Sequence, residues 1–166
     1  TVVHLTVGLG DEVDWGYFPL HVEYVEKLYA GGIIKGSRWV KREGRPSDDA
    51  VLKARVIDRT IRPLFPEGIK NQVQVVATVF SHDQENQDDM VALLATGIAL
   101  SISPIPFNGP VAGLRMGYNK ETGKYIANPT DSEMEELDMD LIVSGSGESI
   151  AMVEAGADEV DEEEIL

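Results

Sequence analysis

The sequence predicts a mixed α+β fold in which sheet packs against helices. Strand-like and helix-like segments follow one another irregularly along the 166 residues, and the helix-like segments begin with residues that cap helices. A hydrophobic content of 43% is sufficient for one buried core. The sequence contains neither an internal repeat nor a low-complexity linker, so residues 1–166 are interpreted as a single domain.

The first part of the chain is typical of strands joined by a glycine-containing loop. Residues 1–7 alternate as a strand, and residues 8–16 are interpreted as a loop. Residues 18–29 are rich in β-branched and aromatic side chains, which favours a long strand. Residues 31–46 are glycine-rich and basic and show no period, which indicates a second loop.

A helix with two different faces is predicted over residues 48–64. Ser47 can cap it, and two acidic residues follow in its first turn. Its apolar side chains fall within about 60° on a helical wheel, nearly opposite its arginines. The apolar face consists of Ala50, Ile57, Ile61 and Leu64, and the cationic face consists of Arg55, Arg59 and Arg62.

The second half of the chain continues the alternation of strands and helices. Residues 72–80 indicate a buried strand, and residues 88–101 are apolar nearly all round, which predicts a buried helix. A strand pair (109–117 and 124–127), a short acidic helix capped by Thr130 and a hairpin (141–143 and 150–154) follow. The acidic residues 158–164 are interpreted as the start of a further helix.

The distribution of charge is more informative than the net charge of −15. Residues 35–70 contain ten of the fourteen Lys and Arg residues against five acids, so this segment carries +5 and the remainder −20. A basic segment of this kind can focus positive potential on one surface, which suits a polyanionic partner. The alternative is that these charges are scattered over the surface.

Several classes of function are excluded by what the sequence lacks. There is no cysteine, which excludes disulfides and thiolate zinc sites and suits a reducing compartment such as the cytoplasm, with an organelle left open. No apolar run reaches the roughly 18 residues of a membrane span. Residues 31–37 depart from a phosphate-binding loop, residues 8–10 lack the third glycine of a dinucleotide fingerprint, and no nucleophile elbow with a following histidine exists.

The basic segment supplies the candidate binding residues. Trp39 can stack on a base while Lys41, Arg42 and Arg45 clamp the adjacent phosphates of a single strand. Arg55, Arg59 and Arg62 present forked donors that suit either an RNA backbone or inorganic phosphate. The alternatives are that Trp39 is a packing residue and that the three helix arginines pair with nearby acids such as Asp48 and Asp58.

An acidic cluster between residues 131 and 140 is the only candidate magnesium site by composition. Closely spaced carboxylates such as Asp131 and Asp138 can bind a cation that stabilises charge on a phosphoryl oxygen. The alternative is a solvated acidic face on a short helix. No metal ligand is therefore assigned.

A series of motifs along nearly the whole chain resembles the polynucleotide phosphorylase family. They are FPL (18–20), YA (29–30), REGRPS (42–47), IDR (57–59), IRPLFPEG (61–68), QVVAT (74–78) and IPFNGP (105–110). The match is to the first, N-terminal, of the two RNase PH-like domains of that family, truncated at both ends. The resemblance implies a ribosomal protein S5 domain 2-like fold.

The resemblance also implies a function. Members of the family are phosphate-dependent 3′ to 5′ exoribonucleases that release nucleoside diphosphates and assemble as trimers around an RNA channel, with magnesium assisting. The family's RNA-guiding loop aligns with Trp39, Val40, Lys41 and Arg42, and its phosphorolytic centre lies in the second domain. Asp138 resembles one of that centre's aspartates, whereas Ser132 occupies the position of the other, beside Asp131.

We therefore expect this chain to be the RNA-binding and structural half of such an enzyme and to be inactive alone. Two alternatives remain open. The chain could be an architectural domain of an RNase PH-type ring whose arginines bind acidic neighbours, or it could retain residual phosphorolysis through Asp131 and Asp138.

Overall fold

Residues 1–34, 44–147 and 149–162 are described by a computed structural model of the chain. The first of its two sheets contains β1 (Val2–Glu12), β2 (Leu20–Glu26) and β3 (Asn71–Ser81) in the order β1-β3-β2. The central strand β3 pairs antiparallel with β1 and parallel with β2. Its alternate residues Val73, Val75, Ala77 and Val79 are buried, because successive side chains of a strand point to opposite faces.

Two helices pack against this sheet and supply much of the core. Helix α1 (Asp48–Ile61) packs on β2, and α2 (Asp88–Ile102) packs on β1. The largest fully buried side chains of the two helices are Ile57, Ile61, Leu93 and Leu100. The core therefore lies between the first sheet and one face of each helix.

A second sheet contains β4 (Ala112–Asn119), β5 (Lys124–Ala127), β6 (Met139–Ser146) and β7 (Ser149–Ala157). Its order is β5-β4-β6-β7, and every neighbouring pair is antiparallel. The short helix α3 (Asp131–Met134) connects β5 to β6 and begins with the capping box of Thr130 and Glu133.

Both long helices also join the two sheets. Helix α1 contacts β7, and α2 contacts β4. The buried hydroxyls of Thr60 on α1 and Ser144 on β6 are 2.5 Å apart. Thr60 also donates to the carbonyl of Val56, and the Ser144 hydroxyl lies 3.8 Å from the sulfur of Met152.

The predicted start of α1 is confirmed. The Ser47 hydroxyl accepts a hydrogen bond from the backbone N–H of Ala50 at 3.0 Å, and Asp48 and Asp49 occupy the first turn. The predicted end is wrong by three residues, since the α-helix stops at Ile61 and a 3-10 turn, Arg62–Leu64, follows. Pro63 explains the change, because proline has no N–H to continue the helical ladder.

Three other sequence predictions need correction. Strand β1 continues to Glu12, where a loop was expected from residue 8, because Leu9 and Glu12 still pair with β3. Strand β2 is shorter than predicted and is followed by a 3-10 turn, Leu28–Gly31.

The third correction concerns α2, which is not buried all round. Its four outward apolar side chains are between 39% and 82% exposed, namely those of Val91, Leu94, Ile98 and Ile102. The helix is apolar on nearly all sides, as predicted, but this composition does not show which of its faces packs against the rest of the protein. None of the helices in the described ranges is long and apolar enough to cross a lipid bilayer.

Candidate nucleic-acid interface

A cleft of about 620 Å³ lies between β2 and α1. One wall is β2, from Leu20 to Val25, and the other is the outward face of α1. The arginines that the helical period placed on one face, Arg55, Arg59 and Arg62, all line this cleft. The periodicity of the sequence therefore located these three side chains on a common surface.

Among these three arginines, Arg62 is bound to other residues of the protein. Its Nε and Nη2 donate to the two carboxylate oxygens of Asp58 at 2.9 and 2.6 Å. Its Nη1 and Nη2 also donate to the backbone carbonyls of Phe18 and Leu20 at 3.2 and 3.4 Å. The ion-pair alternative is thus observed for Arg62, which ties the end of α1 to the start of β2. Its role in binding phosphate stays a prediction.

Arg55 and Arg59 differ from Arg62 because both are exposed and neither has an ion pair or hydrogen bond within the described residues. A guanidinium that is not neutralised by the protein keeps its five donors for an external anion. With Glu23 and Asp58 as the carboxylates of the lining, the cleft carries three arginines against two acids. It is therefore locally cationic in a chain whose net charge is −15.

The residues next to the cleft include part of the predicted RNA-binding loop. Arg45 is exposed and precedes Pro46, which lines the cleft. Trp39, Lys41 and Arg42 lie outside the described residues, so their roles stay predictions.

The remaining cation of α1, Lys53, has a structural role. Its Nζ lies 2.8 Å from Asp49, 2.9 Å from Asp88 and 3.1 Å from Glu26, and its side chain is 16% exposed. Burial by itself lowers the pKa of Lys53, but the hydrogen bonds that its ammonium donates to Asp49 and Asp88 outweigh burial and raise the pKa above its ordinary value. Lys53 is therefore charged and fully occupied by these carboxylates.

The structure places Asp131 and Asp138 in different local networks. Asp131 accepts a hydrogen bond from the side-chain amide of Gln87. Asp138 accepts the backbone N–H of Lys120 at 2.8 Å, and its other oxygen lies 3.2 Å from the ammonium of Lys120. Among residues 1–34, 44–147 and 149–162, no group of three or more acidic or histidine side chains is arranged to hold a metal ion. The catalytic role of Asp131 and Asp138 stays a prediction.

Sequence reasoning missed a charged cluster around Arg115 on β4. Its Nε and Nη2 donate to the two oxygens of Asp140 at 2.7 and 2.5 Å, and its Nη1 donates to Gln87 at 2.8 Å and lies 3.4 Å from Asp89. Burial raises the pKa of Asp89, and the Arg115 guanidinium opposes that shift. The cluster joins α2, β4 and β6. Its residues are far apart in the sequence, so no short motif indicates it.

Comparison with known proteins identifies the fold and the family. Residues 1–106 match the family model of the 3′ exoribonuclease family, domain 1, and residues 109–166 match that of domain 2. The crystal structure of rice (Oryza sativa) Rrp46 shares the fold with a TM-score of 0.74 over 98% of this chain and 71% of that chain, at 15% sequence identity. The predicted RNase PH-like fold is therefore confirmed.

Curated relatives resemble the chain more closely in sequence. It is 54% identical over 150 residues to the polyribonucleotide nucleotidyltransferase of Gemmatimonas aurantiaca, covering 90% of this chain and 20% of that protein. It is 50% identical over 153 residues to the polyribonucleotide nucleotidyltransferase of Halalkalibacterium halodurans, covering 92% of this chain and 21% of that protein. The chain thus spans about a fifth of the length of these relatives. Their similarity confirms the resemblance to polynucleotide phosphorylase, and with the two family models it shows that the chain belongs to the 3′ exoribonuclease family.

Proposed function

We propose that this chain is the RNA-holding and structural part of a polyribonucleotide nucleotidyltransferase, a phosphate-dependent 3′ to 5′ exoribonuclease that degrades RNA to nucleoside diphosphates. The observation that carries the proposal is the pair of exposed, unneutralised arginines, Arg55 and Arg59, in the cleft between β2 and α1. Guanidinium groups match phosphate oxygens in geometry and charge. The relatives that carry this enzyme name support the reaction class.

The cleft is suited to hold a phosphodiester backbone because it is cationic and because its arginines lie on a fixed wall. Arg62 fixes the α1 wall to β2 through Asp58 and two backbone carbonyls. Arg55 and Arg59 lie one helical turn apart on that fixed wall and can each contact a phosphate. Inorganic phosphate, the co-substrate of the proposed reaction, presents the same oxygens and can bind the same donors.

The remaining features of the proposal concern the whole protein. We propose that it works as a homotrimer in the cytoplasm, that a second RNase PH-like domain carries the phosphorolytic centre with its magnesium ion, and that this chain alone is inactive. Residues 1–166 are proposed to act as a single domain, since both long helices contact both sheets. The competing proposal is an architectural domain of an RNase PH-type ring, which the clamp between Arg62 and Asp58 favours.

Variants of the full-length protein that contains this chain separate the two proposals. We expect the double substitution of Arg55→Ala and Arg59→Ala to weaken binding of a single-stranded oligoribonucleotide and to slow release of nucleoside diphosphates, with the oligomer unchanged in size-exclusion chromatography. Lys124→Ala, which removes an exposed cation from the other sheet, is the matched control. Loss of the oligomer with RNA affinity retained would favour the architectural role.

A further inference from the structure

The loop between β1 and β2 presents two aromatic side chains to solvent. Trp15 is 53% exposed and Tyr17 is 68% exposed, although the chain has a well-formed core elsewhere. Their ring centroids are 5.8 Å apart, with an angle of 38° between the planes. Gly16, with φ of +74°, separates them and adopts the left-handed conformation that favours glycine. The backbone of this loop is therefore suited to place two adjacent aromatic rings side by side on the surface.

These two rings line a second cavity of about 360 Å³. Its wall also includes the buried ring of Phe65 and the side chain of Lys70. Arg62 lines both this cavity and the cationic cleft between β2 and α1. The aromatic cavity and the cationic cleft are therefore neighbours that share Arg62 as a lining residue.

The cleft and the aromatic cavity differ in chemistry. The cleft carries a surplus of arginine, whereas the aromatic cavity balances Arg62 and Lys70 against Asp14 and Glu67. Lys70 lies 3.9 Å from Asp14, so part of its charge is met within the protein. The cleft suits an anion, and the neutral cavity with exposed rings suits a flat, uncharged aromatic group.

A single-stranded nucleic acid presents these two chemistries next to each other in every nucleotide. Its phosphates require cationic donors, and its unpaired bases gain free energy by stacking on aromatic side chains. We propose that Trp15 and Tyr17 form a base-stacking subsite for single-stranded RNA whose backbone lies along Arg55 and Arg59. This inference rests on the proposed function and assigns the base-binding half of the same site.

The subsite can be tested by the fluorescence of Trp15. The chain contains two tryptophans, Trp15 and Trp39, so every variant is compared within a Trp39→Phe background, which keeps an aromatic ring at position 39 and leaves Trp15 as the only indole of residues 1–166. A single-stranded oligoribonucleotide is added while its affinity is measured independently by anisotropy of a terminal dye. We expect saturable quenching of Trp15 with the same midpoint as the anisotropy curve.

Substitutions then separate stacking from charge. We expect Trp15→Ala and Tyr17→Ala each to weaken affinity about 5- to 150-fold, the range for loss of one stacked base. The slope of log affinity against log salt stays unchanged, because no phosphate contact is lost. Trp15→Phe retains most of the affinity, and Tyr125→Ala, which removes a 48% exposed ring on β5, has no effect. An oligomer of abasic residues binds the parent and the Trp15→Ala variant equally.

The outcomes distinguish the subsite from the proposed function. Unchanged Trp15 fluorescence during binding that still depends on Arg55 and Arg59 would overturn the stacking subsite and leave the proposed function standing. Absence of any oligoribonucleotide binding by a chain with unaltered circular dichroism would overturn both. The subsite would also be overturned if the RNA quenched Trp15 fluorescence but the chain bound the RNA and the abasic oligomer with equal affinity.

Discussion

Arg62 binds both carboxylate oxygens of Asp58 one helical turn earlier, at 2.9 and 2.6 Å. The same guanidinium reaches the backbone carbonyls of Phe18 and Leu20. Three arginines that look equivalent on a helical wheel therefore have different roles. Arg62 clamps α1 to β2, whereas Arg55 and Arg59 are exposed and have no ion pair within the described residues.

The salt dependence of RNA binding should distinguish Arg55 and Arg59 from Arg62. Each phosphate contact on a single strand contributes about 0.7 to the slope of log affinity against log salt. We expect Arg55→Ala and Arg59→Ala each to reduce the slope by about that amount, with the free energy of unfolding unchanged. Arg62→Ala should change the slope less and lower the free energy of unfolding by about 1 kcal/mol, because Asp58 loses its partner.

Fluorescence anisotropy at several salt concentrations and urea unfolding provide the two measurements. Lys124→Ala is the control for loss of one exposed charge. An equal loss of slope in all three arginine variants would contradict the division of roles.

Gly97 marks the closest approach of α2 to the chain before β4. A Cβ atom at this position would lie 2.6 Å from the carbonyl oxygen of Val111 and 2.8 Å from its Cγ2. In a helix, Gly→Ala alone gains about 1 kcal/mol, but overpacking against a backbone atom costs about 1–3 kcal/mol. We expect Gly97→Ala to lower the free energy of unfolding in urea. Gly156→Ala is the control, since its Cβ would meet nothing within 4 Å.

The two faces of α2 should respond differently to substitution. Ile98 is 54% exposed, so Ile98→Lys should change the free energy of unfolding by no more than about 0.5 kcal/mol. Leu93 is fully buried, and Leu93→Ala should cost about 2–5 kcal/mol. Thermal or urea unfolding of the two variants checks the contrast. A large loss in Ile98→Lys would mean that the outward face is covered in solution.

The pairing of Asp138 with Lys120 predicts a pH-dependent contribution to stability. The backbone N–H of Lys120, together with its ammonium group, lowers the pKa of Asp138 below its ordinary value. A carboxylate whose pKa is lower in the folded state stabilises the fold above its unfolded pKa of about 3.9, and this contribution is lost as the pH falls through the folded pKa. Asp138→Asn should therefore be less stable than the parent at pH 6.

The difference between the parent and Asp138→Asn should shrink as the pH falls through the folded-state pKa of Asp138, below which both side chains are neutral. Urea unfolding at a series of pH values measures it. Asp11→Asn, which removes an exposed carboxylate of β1, is the control for loss of one negative charge. A difference that is independent of pH would argue against the ionised pair.

Local rules explain why part of the fold could be predicted from the sequence. Ser47 caps α1 through its own backbone neighbours, and Pro63 prevents continuation of the helix, so both signals depend on only a few adjacent residues. The helical period also placed Ile57 inside and Arg55 and Arg59 outside. These features require no knowledge of the rest of the chain.

Other features depend on distant contacts and could not be predicted. Arg115 meets Asp89 and Asp140 only after three separate segments have folded together. The outward face of α2 is as apolar as its buried face, so composition could not show that Leu94 is half exposed. Trp15 and Tyr17 share a cavity with Arg62 only because β1, β2 and the end of α1 come together, so no local pattern in the sequence indicates it.

The hydrogen bond between Thr60 and Ser144 connects the arginine face to the sheet on the far side of α1. Thr60 follows Arg59 directly in the sequence, and its hydroxyl is buried against β6. A shift of β6 along its own axis would strain this bond unless α1 moved with it. Since Arg62 also holds the end of α1 against the start of β2, the helix that carries Arg55 and Arg59 is anchored to both sheets.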